Sequence, residues 1–171
     1  MRWPVFAVVL FITAVLQITA GRFFPFADRL IRPDFLALLA LFFALYAPRH
    51  HAPLAVWIVG FVADLLGLGP PSGAFAFSFG ILALLTLWAR RLVYPDHAVS
   101  RIILAFFWTF STHAFTFAIP CLFARWSFST LVPFLSLSAC IALYTAAFTP
   151  VYYLMVPRKR WFVLPLSQKR P

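Results

Sequence analysis

Glutamate is missing from all 171 residues, and aspartate supplies the only four acidic side chains. Charged residues make up 11% of the chain, where a soluble domain carries about a quarter. So few acids leave no paired carboxylates for acid–base work, and no nucleophile–histidine–acid arrangement or glycine-rich phosphate loop stands in for them. Asp64 and His113 are the only candidate acid–base groups, so the chain is expected not to be an enzyme and to use no cofactor. Cysteine occurs twice, at Cys121 and Cys140, both within apolar stretches. A disulfide framework is therefore not indicated, and both read as packing residues. His50 and His51 are adjacent, with no further ligand at metal-binding spacing, which argues against a metal site.

What the sequence has in abundance is apolar surface, since 64% of its residues are hydrophobic. Several uncharged runs approach or exceed the ~18 residues needed to cross a bilayer. The expected fold is a single all-α transmembrane helical domain over residues 1–171. Its approximate spans are 4–21, 34–47, 53–68, 73–89, 102–124 and 131–155, followed by a basic tail over 156–171. The formal net charge of +10 sits at helix ends and in that tail. Such placement marks topology rather than nucleic-acid binding. With six spans and the N-terminus inside, ten lysines and arginines fall on the cytoplasmic side and four outside. If 34–47 does not fully span, five helices with the N-terminus outside give twelve against two. Both arrangements put the tail inside, against an anionic leaflet, and the turn over 69–73 outside.

Residues 60–73 hold the one acid inside a long apolar run. In a continuous helix Gly60, Asp64 and Gly67 share a face, where the glycines admit a close neighbour and the carboxylate points inward. Gly73 closes the Gly-Pro-Pro-Ser-Gly reversal that follows. Two readings of Asp64 stay open. It is either a functional intramembrane carboxylate, or an acid that locks helices by bonding to a hydroxyl or backbone group. A locking role predicts a mild effect of Asp64→Asn. Gln17, costly in lipid, is expected to face a neighbouring helix, and so is the Thr109, Thr112, His113 and Thr116 stripe. His113 is a candidate buried polar group and a candidate partner of Asp64. Arg32-Pro33-Asp34 opens the second segment, with Asp34 in a first turn where the helix dipole favours negative charge. Ser138, Ala142, Thr145 and Thr149 make a small-residue face on the last segment.

Leu16-Gln17 ending the first helix, Arg32-Pro33-Asp34 opening the second, and Gly60-x-x-x-Asp64-Leu65 before a glycine-rich turn together resemble the rod shape-determining protein MreD family. The glycine after the turn lies nine residues past Asp64, where the family pattern places it eight past. The resemblance implies a six-helix protein of the bacterial inner (cytoplasmic) membrane, with an architecture similar to the substrate-binding subunits of energy-coupling-factor vitamin transporters. It also implies a bitopic partner, MreC, and membership of an elongation machinery with MreB, RodA and a class B penicillin-binding transpeptidase. Gly60, Asp64, Gly67, Gly73, Arg32, Asp34 and Gln17 are then the candidate partner-binding or helix-packing residues. The expected function is a non-enzymatic scaffold for peptidoglycan synthesis and cell shape. The alternative is a small-molecule carrier subunit of the vitamin-transporter type.

Overall fold

A computed structural model of the chain describes residues 2–23, 31–67, 73–90, 97–123 and 131–155. The expected reversal over 69–72, the loop over 124–130 and the basic tail over 156–171 lie outside the described residues. The elements are α1 (Trp3–Phe23), α2 (Phe35–Tyr46), α3 (Ala52–Leu65), α4 (Ala74–Ala89), α5 (Ala98–Phe123) and α6 (Leu131–Met155), with no strand among the described residues. By length and composition α5 and α6 are long and apolar enough to cross a membrane. The other four are represented by shorter apolar helices. The two largest boundary differences from the sequence pattern fall on α5 and α3. Helix α5 begins at Ala98 rather than Ile102, and α3 stops at Leu65 rather than Leu68.

Local chemistry explains where α2 and α3 begin and end. Ala47 precedes Pro48 and takes the extended conformation that a following proline imposes, which ends α2. Pro53 sits in the first turn of α3, where its missing N–H costs nothing. At the far end of α3, the Leu66 N–H donates to the Val62 carbonyl and the Gly67 N–H to that of Asp64. Gly67 then turns to φ +64°, a conformation that L side chains adopt rarely. The expectation that Gly67 continues the Gly60 and Asp64 face therefore fails, because the left-handed residue stops the helix first. Gly73 has φ +101° just before α4, and a Cβ at either glycine would meet nothing within 4 Å. These two glycines shape the chain; they do not pack helices.

Helices α3 with α4, and α5 with α6, are the closest pairs, and α2 touches all five other helices. It is the centre of the bundle. Every residue from Phe35 to Leu45 is buried, although Leu, Phe and Ala point out on all sides of it. A helix apolar all round belongs in such an interior. Exposed apolar side chains instead line the outward faces, among them Phe11, Trp57, Phe61, Leu84, Trp88 and Leu154. Cys140 is free and exposed, so it is not the interior packing residue the sequence suggested.

Gly60 is where α3 and α4 come closest. A Cβ there would lie 2.7 Å from the Ala76 Cα and 2.8 Å from the Phe75 carbonyl oxygen. Both obstacles are backbone, so neither can swing aside. Gly80, by contrast, would place its Cβ 3.7 Å from the Trp57 side chain, an ordinary contact. Gly60→Ala should therefore lower stability by about 1–3 kcal/mol as the crossing is forced open. Gly80→Ala should change it by less than about 1 kcal/mol, because helix propensity favours alanine. Thermal unfolding of the two purified variants checks this, and equal melting temperatures would contradict the crossing.

Candidate functional site

The start of α2 is the most polar point of the interior. Pro33 is buried, so the chain enters the helix already inside the protein. The first N–H groups of any helix lack an intrahelical acceptor and must find one elsewhere. Here three side-chain oxygens take up N–H groups at this end. The Asp34 side chain accepts from the Ala37 N–H at 2.9 Å, the usual N-cap bond. The Phe35 N–H donates to Gln17 Oε1 of α1 at 2.7 Å. The Asp34 N–H donates to Thr145 Oγ1 of α6 at 2.9 Å. The second carboxylate oxygen of Asp34 lies 3.7 Å from His113 Nε2 of α5. That separation is an electrostatic contact, too long for a hydrogen bond. The His113 ring meets Phe75 edge to face at 5.9 Å, which sets its plane. Thr145 lies 14 residues into α6, about 21 Å along its axis, so the cluster is deep in the bundle.

The opposite end of α2 is treated in the same way. Its last carbonyls also lack intrahelical donors. Arg90, the residue after α4, donates Nε–H to the Ala44 carbonyl at 2.5 Å, an Nη1 proton to that of Ala47 at 2.9 Å, and an Nη2 proton to that of Phe43 at 3.3 Å. A planar guanidinium reaches these three separate carbonyls from three nitrogens, whereas a lysine would have to reach them all from one. A carboxylate thus sits at the positive end of the α2 dipole and a guanidinium at its negative end.

Asp64 does for α4 what Asp34 does for α2, but across a turn. Its Oδ1 accepts from the Phe75 N–H at 3.1 Å and its Oδ2 from the Ala76 N–H at 2.9 Å. Gly60, one turn earlier on the same face of α3, brings the helices close enough for both bonds. Ser78 and Thr116 approach to 3.4 Å between α4 and α5, and Thr13 pairs with Tyr152 at 3.1 Å between α1 and α6.

The sequence-nominated residues therefore fall into two clusters. Gln17, Asp34 and His113 meet at the start of α2, while Gly60 and Asp64 meet at the start of α4. His113 faces Asp34 and not its candidate partner Asp64, both of whose oxygens are turned to α4. Arg32 is exposed on the approach to α2, two residues before Asp34. Gly67 and Gly73 flank the second cluster, and Gly67 joins it only through its N–H bond to the Asp64 carbonyl. Two participants escaped the sequence reading. Arg90 looked like a topology charge, and Thr145 looked like one small residue in a stripe. The signal for Arg90 was the absence of any basic residue in the last turn of a segment too short to span.

The geometry revises the expectation for Asp64→Asn. Both carboxylate oxygens accept an N–H, and an asparagine NH2 would face one of those donors. The substitution should cost about 1–3 kcal/mol, the penalty of one unmet buried group. Asp34→Asn should cost less, because one oxygen keeps the cap and the amide NH2 faces a ring nitrogen able to accept. Ranking the melting temperatures of both variants tests this. The reverse order would mean that Asp34 and His113 form a charged pair. Arg90→Lys should also lower stability, by about 1–3 kcal/mol, because a single ammonium leaves α2 carbonyls unmet.

The comparisons with known proteins agree with the sequence motifs. No curated protein and no solved structure matches the chain. A family model described as rod shape-determining protein MreD matches residues 1–164. The match covers both clusters and all six helices, and the chain belongs to the MreD family of bacterial membrane proteins that determine rod shape.

Proposed function

We propose that the chain is a non-enzymatic scaffold of the elongation machinery that binds an MreC-like bitopic protein and helps organise peptidoglycan synthesis. RodA, a class B penicillin-binding transpeptidase and MreB are the further partners of this reading. All six helices lie in the inner membrane, with the tail in the cytoplasm and the turn after α3 outside. The end of α2 that carries Asp34 then faces the outer half of the bundle, and Arg90 the cytoplasmic half. The observation that carries the reading is what buried Asp34 and half-buried Asp64 do. Asp64 spends both oxygens on backbone N–H groups, and Asp34 spends one on its own cap. In lipid the hydrophobic effect does not hold helices together, so such bonds and close packing must. These acids fasten a framework, and a rigid framework is what a partner helix needs to dock on.

The test is co-purification of the tagged MreC-like partner with the chain from detergent-solubilised membranes. Recovery should be near one to one. Saturable binding of a vitamin-type molecule without recovery of the partner would favour the carrier instead. Reporter fusions check the orientation, with one after Arg160 expected to read as cytoplasmic and one at Pro71 as external. His113→Ala should leave cells rod-shaped provided the variant reaches the membrane in normal amounts. Round cells at normal abundance would show that the imidazole does chemistry, which a scaffold does not require.

A further inference from the structure

Asp34 and His113 approach each other without a hydrogen bond, and a scaffold makes no use of the two groups as titrating groups. His113 Nε2 is buried, has no hydrogen-bond partner among the described residues, and lies 3.7 Å from Asp34 Oδ2. Thr109, one turn earlier on the same face of α5, also buries a hydroxyl without such a partner. Among the described residues, His113 is the only charge that acts on Asp34, and Asp34 the only one that acts on His113. The surrounding helices present neutral groups here: Gln17 from α1, the Phe75 ring from α4 and Thr145 from α6. Other titratable and charged groups nearby are engaged or turned away. Asp64 of α3 gives both oxygens to α4, the Tyr152 hydroxyl of α6 pairs with Thr13, and Arg32 is exposed.

A carboxyl and an imidazole in such a place are constrained by their sum. Between them they can hold no proton, one proton or two. With none the pair is a net anion, and with two it is a net cation. With one it is neutral, whether the proton sits on Oδ2 or on Nε2. An unbalanced charge in an apolar interior costs far more than a neutral pair. Groups this close also titrate as a unit, so the count belongs to the pair and not to either residue. We propose that Asp34 and His113 form a binding site for a single proton, which they share between α2 and α5 and keep across the ordinary range of pH. The cap of α2 is compatible with this, because the Ala37 N–H needs one acceptor oxygen and an acid supplies it as a carboxylate does. The proton can pass between the two helices with no change in net charge when the gap closes to hydrogen-bond length. The Thr109 hydroxyl, able to donate or accept, suits either form.

Solid-state nuclear magnetic resonance of the full chain in lipid nanodiscs tests it, with carbon-13 at aspartate Cγ and nitrogen-15 in the histidine rings. Asp34→Asn and His113→Gln assign the two signals. If either variant does not fold, carbon–nitrogen dipolar recoupling identifies the pair in the unaltered chain. From about pH 5 to 9 the two signals should together report one proton, as an acid beside a neutral ring or a carboxylate beside an imidazolium. A carboxylate beside a neutral ring anywhere in that range overturns the proposal, and so does an acid beside an imidazolium, since either pair carries net charge. Replacing sodium by choline in the buffer should leave both signals in place. Movement would mean that a metal cation balances the site, which overturns the proposal too. Arg29→Gln removes a cation from the connector before α2 and should leave the count at one. A changed count there would put the balancing charge outside the pair and overturn it as well. No arm involves a partner protein, so a failure here is separate from a failure to recover the MreC-like partner.

Discussion

A helix of 12 residues reaches only about 18 Å, well short of the ~30 Å hydrocarbon core of a bilayer. Helix α2 is that short and is covered on every side. Its first end is buried and its second is half-covered, and in an apolar medium each unmet backbone group costs several kcal/mol. Every other feature of the interior answers this one constraint. Helices α1, α5 and α6 each bring a polar side chain to its start, and Arg90 reaches its end from beyond α4. Hydrogen bonds from α1, from α6 and from Arg90 after α4 register three of the surrounding helices against one central rod. Helices α3 and α5 meet it by packing and, for α5, by the His113 contact.

The same solution recurs at the start of α4, where Asp64 caps a helix that is not its own. A carboxylate divided between two N–H groups is a good acceptor and has little left for other work. Both oxygens of half-buried Asp64 are committed to the backbone of α4 in this way. The His113 contact differs, since a 3.7 Å gap to Asp34 contributes charge complementarity without a fixed bond. It is the softest point of an otherwise fully fastened cluster.

What could be read before the fold was known follows the reach of each interaction. A Pro-Asp at the start of an apolar run was enough to place Asp34 at the positive end of α2, although it caps the helix rather than sitting in its first turn. Gly60 and Asp64 were legible because helical periodicity alone puts them on one face. Gln17 declared itself by its cost in lipid. The identity of partners was another matter. Arg90 finds carbonyls 43 to 47 residues earlier, and Thr145 meets Asp34 across 111 residues. No local pattern encodes such pairings. The end of α3 was misjudged for a related reason: apolar residues continue through Leu68, and only the positive φ of Gly67 marks the stop. The aspartate that His113 meets was not legible, because two acids and one stripe do not specify which helices touch.

The reach of Arg90 bears on how the protein is made. A nascent chain that has emerged only as far as α3 already contains α2, but not the guanidinium that closes its end. Nor does it contain the Thr145 hydroxyl, which arrives with the last helix. The central rod is therefore synthesised second and completed last. Until α6 is threaded in, α2 needs a temporary shelter for its ends, from the insertion machinery or from water at the membrane surface. Assembly of this bundle closes inward, and a truncated chain lacks the parts that make its own centre stable.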